Sequence, residues 1–271
     1  MLQKINLSSV KTHVLFLILW LLLGGCHKFD AFDKETILLL SEITYCDGGA
    51  TKFEYDGYNR IIKVKEFVGK ELSQSILFTY NDAGDLVAVA EISHDDGFRR
   101  DVTITKEGNV MTMEEEYVTR VAELNAQGLV EKMTHSGNTV GENGEEGWWK
   151  GVELFEYYGK NVSRVESTYT SSGSGDSQTD IDTYSYYDRK SPFYYCNTPL
   201  WYKVDFIYRR FGIGAINNIK TNSYSFMPVT IKYEYRYNAA GLPVSCKKIG
   251  NFDGRIKIEI SHFKYVKRAP L

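Results

Sequence analysis

The chain has 271 residues, with 32 Lys and Arg against 35 Asp and Glu, for a formal net charge of −3. That mildly acidic balance, its basic residues spread along the chain, excludes the electrostatic footprint of a nucleic-acid binder. Aromatics make up 14%, with 20 Tyr and 14 Phe beside only 5 Pro, which favours extended strands and argues against intrinsic disorder.

Residues 1–25 read as a signal peptide. Lys4 and Lys11 form a positive start, no acid appears before Asp30, and an apolar run from Val14 to Leu23 follows. That run is shorter than the about 20 residues a spanning helix needs. It ends in Leu23-Gly24-Gly25-Cys26, which resembles a lipobox: a leucine three positions before the cysteine and a small residue directly before it. The expected cut lies between Gly25 and Cys26, with lipid attached to Cys26. An ordinary secretory signal with an incidental cysteine is the alternative. His27 stands where an Asp would signal retention at the inner membrane, so the outer membrane is the expected location.

Residues 26–36 read as a tether, and 37–271 as one antiparallel β domain. A motif recurs along that domain: Phe53-Glu54-Tyr55-Asp56 to Ile62, then Phe78-Thr79-Tyr80-Asn81 to Val87, then Tyr235-Arg236-Tyr237-Asn238 to Val244. Weaker echoes start at Glu123, Phe155 and Tyr184. The aromatic-x-aromatic step puts two rings on one strand face, because side chains alternate with period two. The Asn or Asp bonds nearby backbone to start a turn, and Gly or Asn59 supplies the positive φ that closes it. Alternation continues in Ile231, Tyr233, Tyr235 and Tyr237 against Lys232, Glu234 and Arg236. It also appears in Ile256, Ile258 and Ile260 against Arg255, Lys257 and Glu259. Further turns are expected at Asp47-Gly48, Gly69, Asp96-Gly97, Gly108 and Gly254. The fold class is therefore all-β: an antiparallel meander of a dozen or more strands in successive hairpins. It forms a strongly curved sheet or partly closed barrel, rings inward and charges to water. Three stretches interrupt it: a Gly- and Glu-rich loop over 137–151, a Ser/Gly tip over 171–178, and an irregular or short helical insertion near 191–222.

These hairpins resemble a family of uncharacterised Bacteroidota lipoproteins, a domain of unknown function with a porin-like β fold. The residues that carry the resemblance are Leu40 to Tyr45 with Asp47-Gly48, Phe53 to Asp56, Tyr186-Tyr187-Asp188 with Ser191-Pro192-Phe193, and Tyr237 to Pro243. The hairpins are also similar to the YD repeats of Rhs-type shell proteins. The resemblance implies a β barrel and brings no catalytic residues.

No phosphate loop, HExxH, GxSxG or EF-hand loop is present, and no metal or cofactor is implied. His27, His94, His135 and His262 are isolated from one another in sequence. Glu114-Glu115-Glu116 and 142–146 read as solvated acids, with a cation site as the alternative. Cys46, Cys196 and Cys246 read as buried small hydrophobes or as one disulfide plus a free thiol. Trp148-Trp149 is the candidate ligand-contact pair, since adjacent strand residues point to opposite faces. The first reading is a non-catalytic envelope lipoprotein that binds or scaffolds. Its expected partners are the membrane, through the lipid, and a glycan or another envelope protein. The rivals are a glycan-active hydrolase or lyase with carboxylates converging in a cleft, and a carrier of an apolar ligand.

Overall fold

The recurring motif builds one turn, used four times. The computed structural model describes residues 36–140, 146–172, 177–203, 209–211, 214–226, 229–252 and 254–269. The expected signal peptide, its Gly25–Cys26 cut and all but the last residue of the tether lie outside these. In each turn Asp56, Asn81, Asn125 or Asn238 donates its backbone N–H to the carbonyl four residues on. Its own carbonyl accepts the N–H three residues on. The side-chain Oδ1 also accepts the N–H of Arg60, Asp85, Leu129 or Leu242 at 2.9–3.1 Å. Asn59, Gly84, Gly128 and Gly241 take φ of 61°, 88°, 72° and 76°, the left-handed conformation that closes the reversal. A register shift precedes every copy, between Glu54 and Tyr55, Thr79 and Tyr80, Glu123 and Leu124, and Arg236 and Tyr237. This is a type I turn with a glycine-type bulge. The Phe155 echo instead makes a tighter turn at Gly159, with Tyr158 opposite Asn161.

Sixteen strands among the described residues follow in chain order. They are β1 (Ile37–Tyr45), β2 (Ala50–Tyr55), β3 (Ile61–Val68), β4 (Glu71–Tyr80), β5 (Leu86–Ser93) and β6 (Arg99–Glu107). Next come β7 (Val110–Glu114), β8 (Val118–Leu124), β9 (Val130–Val140), β10 (Glu146–Tyr158), β11 (Asn161–Ser171) and β12 (Ser177–Lys190). The last are β13 (Asn217–Tyr224), β14 (Val229–Tyr237), β15 (Pro243–Phe252) and β16 (Arg255–Arg268). Each pairs antiparallel with the next, and β16 pairs with β1 from Ile37↔Arg268 to Tyr45↔Ser261, so the barrel closes completely. Closure leaves no edge strand exposed. Because turns alternate between the two rims, all the motif turns fall on one rim. The turns at Gly48, Gly69, Gly97 and Gly254 fall on the other, and the turn at Gly108 lies on the motif rim.

Rings fill the lumen near the motif rim. Phe53, Tyr55, Ile61, Val64, Ile76 and Phe78 are buried there. Four tyrosines near the motif rim satisfy their hydroxyls on neighbouring backbone: Tyr55 on Leu40, Tyr80 on Ile61, Tyr157 on Val130 and Tyr265 on Pro243, at 2.7–2.9 Å. The broken echo at Tyr184 leads out of β12 into the irregular insertion, observed over 191–216. Its described parts contain single helical turns at Leu200–Tyr202 and Arg209–Phe211. The insertion folds back into the barrel. Phe193 packs edge-on against Phe53 at 5.1 Å, Tyr202 against Phe78 at 5.7 Å, and Phe211 against Phe53 at 5.6 Å. Thr198 accepts the Ile61 N–H at 2.9 Å, and Asn197 donates its backbone N–H to Asn59. The segment therefore plugs the motif end of the lumen.

The outer wall is polar. Lys52, Glu54, Lys232, Glu234 and Arg236 are exposed, and Lys65 pairs with Glu54 at 2.6 Å across the wall. A lipid-spanning barrel needs an apolar outward band, and a Lys at the bilayer midplane costs about 2–4 kcal/mol; this wall has mid-strand charges instead.

Three expectations need correction. On β16 the isoleucines face out, with Ile256 70% and Ile258 49% exposed, because the register with β15 puts Glu259 beside Lys248 and Ser261 beside Cys246 on the inner face. The loop expected over 137–151 is largely strand: β9 runs to Val140 and β10 starts at Glu146. Several acids expected in water lie inside, among them Glu115, whose side chain is 7% exposed.

Candidate ligand cavity

Between the plug and the β10–β16 side of the wall lies a cavity of about 850 Å³. Arg210 and Phe211 of the plug line it, as do β1, strands β10 to β16 and the β1–β2 turn at Cys46 and Asp47. That turn belongs to the rim opposite the motif turns, so the motif end is packed while the other end gives access.

Among the described residues, the charged side chains that line the cavity lie beside partners. Arg210 grips Glu66 through two bonds of 2.6 and 2.8 Å and also bonds Gln74. Burial works against its charge, yet the Glu66 bond and the Glu66 and Glu91 charges outweigh it and raise its pKa. The ladder continues along the inner wall: Arg100 lies 3.0 Å from Glu91, and Arg100 and Arg120 both approach Glu115, at 3.5 and 2.8 Å. Glu153, 1% exposed, faces His135 at 3.2 Å and accepts the Tyr169 hydroxyl at 2.9 Å. Tyr184 donates to Asp182 at 3.1 Å. Glu259 meets Lys257 at 2.7 Å and Lys248 at 3.2 Å, and the Lys257 bond is the chief cause that lowers its pKa.

Phenols make up much of the wall: Tyr45, Tyr184, Tyr224, Tyr233 and Tyr235 all line the cavity. Burial raises the pKa of Tyr224 and Tyr233, so both stay protonated donors at neutral pH. Burial also pushes the Cys246 thiol up to about 12, which makes it an inert wall group. Asn222 is 3% exposed; its Nδ2 donates to Tyr224 Oη at 2.7 Å. Its Oδ1 is buried with no partner among the described residues. A buried acceptor left unpaired costs about 1–3 kcal/mol, and such an atom on a cavity wall marks where a donor belongs.

The candidates read from sequence are placed as follows. Cys26 lies outside the described residues. Trp148 is 50% exposed on the outer wall, while Trp149 faces inward over Gly137, where a Cβ would come within 2.6 Å of its indole nitrogen. Both border a smaller hollow of about 370 Å³ beside Tyr117, apart from the main cavity. Cys46 is exposed, Cys196 and Cys246 are buried, and all three thiols are free. His94 meets Ser75 at 2.9 Å and His262 points outward, opposite Thr44 and Ser245. Among the described residues no group of three His, Cys, Asp or Glu could hold a metal. Sequence reasoning missed Asn222, Tyr224, Asp182, Glu153, Lys248 and Glu259. A signal was available: Glu153 stands in phase with Phe155 and Tyr157, a polar residue on the ring-bearing face of its strand.

No family model and no curated protein matches the chain. Among solved structures, a porin-like protein from Bacteroides uniformis aligns at 12% identity over 84% of this chain and 96% of its own, with a TM-score of 0.35. A porin-like protein from Bacteroides vulgatus aligns at 12% identity over 85% and 99%, with a TM-score of 0.42. The TcdB2–TccC3 structure aligns at 8% identity over 82% of this chain and 14% of that one, with a TM-score of 0.32. These are loose likenesses. The functional reading rests on the cavity.

Proposed function

We propose that this is a cell-envelope lipoprotein, cut before Cys26 and held on the outer membrane by lipid on that cysteine. Its barrel stands in water and binds a small polar ligand in its lumen without transforming it. The blind cavity carries the reading. At about 850 Å³ it falls within the roughly 300–1,000 Å³ of small-molecule sites, and its walls are pre-formed by β1, by β10 to β16 and by the plug. The charged outer wall supports a barrel outside the bilayer, and the Leu23-Gly24-Gly25-Cys26 motif supports the anchor. An apolar carrier needs a dry lumen, whereas Lys248, Glu259, Asp182 and the phenols line this one.

Two measurements test the proposal. Metabolic labelling with palmitate should mark the wild-type chain and miss Cys26→Ser; equal labelling of both removes the anchor. Thermal melting of the processed protein against saccharides, peptides, nucleotides and fatty acids should find a stabilising ligand. Ligand at one hundred times its Kd adds about 2.7 kcal/mol. Silence from every class removes the binding role. Turnover of any of them points to the hydrolase reading, in which Glu153, Asp182 and Glu259 would be the carboxylates to mutate.

A further inference from the structure

We propose that the lumen receives the end of an uncharged oligosaccharide, hydrogen-bonded at Asn222 Oδ1 and packed against the Tyr224 and Tyr233 rings. This rests on the lumen-binding reading and names its ligand.

The charges exclude an ionic ligand. Arg210 is held by Glu66, Glu259 by Lys248 and Lys257, Glu153 by His135 and Tyr169, and Asp182 by Tyr184. Asp47 accepts the Gly49 N–H at 2.9 Å. A carboxylate or ammonium entering the cavity would compete with partners already in place and lose its water in doing so. The unpaired Asn222 Oδ1 excludes a hydrocarbon, which would cover the acceptor and offer it nothing. The atom asks for an uncharged donor, and a sugar hydroxyl donates and accepts alike. Five phenols on one wall add flat apolar faces with polar tips, the chemistry that matches a sugar ring's C–H face and its hydroxyl edge.

The floor determines which part of a glycan fits. Phe193, Thr198 and Tyr202 of the plug fill the motif end of the lumen, so a chain does not thread through and only its terminal units enter from the other rim.

The test titrates the processed protein with maltotriose, cellotriose, xylotriose and chitotriose, and in parallel with trigalacturonate and palmitate, by calorimetry. At least one neutral trisaccharide should bind, with equal affinity in low and high salt, since no ion pair forms. Asn222→Leu should weaken that binding at least tenfold. Asn222→Asp, which keeps an acceptor, should weaken it less. Lys52→Ala on the outer wall should leave it within twofold. Salt-sensitive binding, or binding untouched by Asn222→Leu in a variant that melts cooperatively, overturns the proposal. If Asn222→Leu does not fold, the salt series and Asn222→Asp decide alone. Binding of trigalacturonate or palmitate only overturns the neutral glycan and leaves the lumen site standing. Binding of nothing overturns the glycan, and with silence across the wider panel the lumen site falls too.

Discussion

Thr198 shows how a single hydroxyl ties the plug to the wall. Its Oγ1 accepts the Ile61 N–H at 2.9 Å and lies 3.2 Å from Cys196 Sγ, all in the buried interior. Thr198→Val keeps the shape and removes the acceptor, so a buried amide is left unpaired at a cost of about 1–3 kcal/mol. The melting temperature should fall by about 2–4 °C for each kcal/mol lost; an unchanged melt would mean the amide has another acceptor. Gly241 offers a cleaner backbone measurement. Its φ is 76° and a Cβ there would meet nothing within 4 Å, so Gly241→Ala registers conformational strain alone. The expected loss is about 1–2 kcal/mol, read as a lower urea midpoint at constant slope.

At the level of elements, the repeated hairpin and the insertion divide the work. Five successive reversals on one rim are short, three of them the motif turn, and the sixth connection on that rim is the long one, over 191–216. Phe193 is its anchor, fully buried between Phe53 and Phe211. Phe193→Ala should cost about 3–5 kcal/mol through lost burial and the cavity left behind. The loss should be local first: hydrogen exchange at Cys196 and Asn197, whose amides bond Phe193 and Asn59, should quicken more than exchange in β14 and β15. Uniform quickening across the barrel would show that plug and wall unfold as one unit.

Across the whole molecule, the phenols govern the alkaline limit. Burial raises Tyr80 to about 12 and lifts Tyr157, Tyr186, Tyr233 and Tyr265 well above the ordinary 10.0. The folded barrel keeps these protons at a pH where the unfolded chain sheds them. Their contribution is complete below pH 10 and is lost as pH rises through the folded values. Lys203 acts in the opposite sense: burial lowers its ammonium, so folding binds fewer protons and gains stability as pH nears 10.5. One amine does not offset five phenols. Urea midpoints should therefore hold to about pH 9 and fall steeply by about pH 11, at up to about 1.4 kcal/mol per phenol per pH unit. A flat profile would mean that the rings are hydrated in solution.

Local chemistry was enough to read the hairpins, because a turn residue, a positive-φ glycine and a period-two strand act over a few neighbours. The motif turns, the antiparallel order and the irregular stretch after Ser191 follow from such short-range rules. Alternation separates two faces of a strand but does not say which looks inward. On β2, β4 and β14 the rings took the lumen, as expected. On β16 the isoleucines took the outside, since register with β15 and the bulge in β1 between Leu40 and Glu42 decide that strand's phase. Closure, too, joins residues at opposite ends of the chain, Ile37 to Arg268, and no local pattern encodes that meeting. The cavity depends on both: its polar wall exists because distant strands bring their minority polar residues to one face, and its floor because the insertion turns inward. Those are long-range packing outcomes, decided by how sixteen strands and one loop share a finite interior.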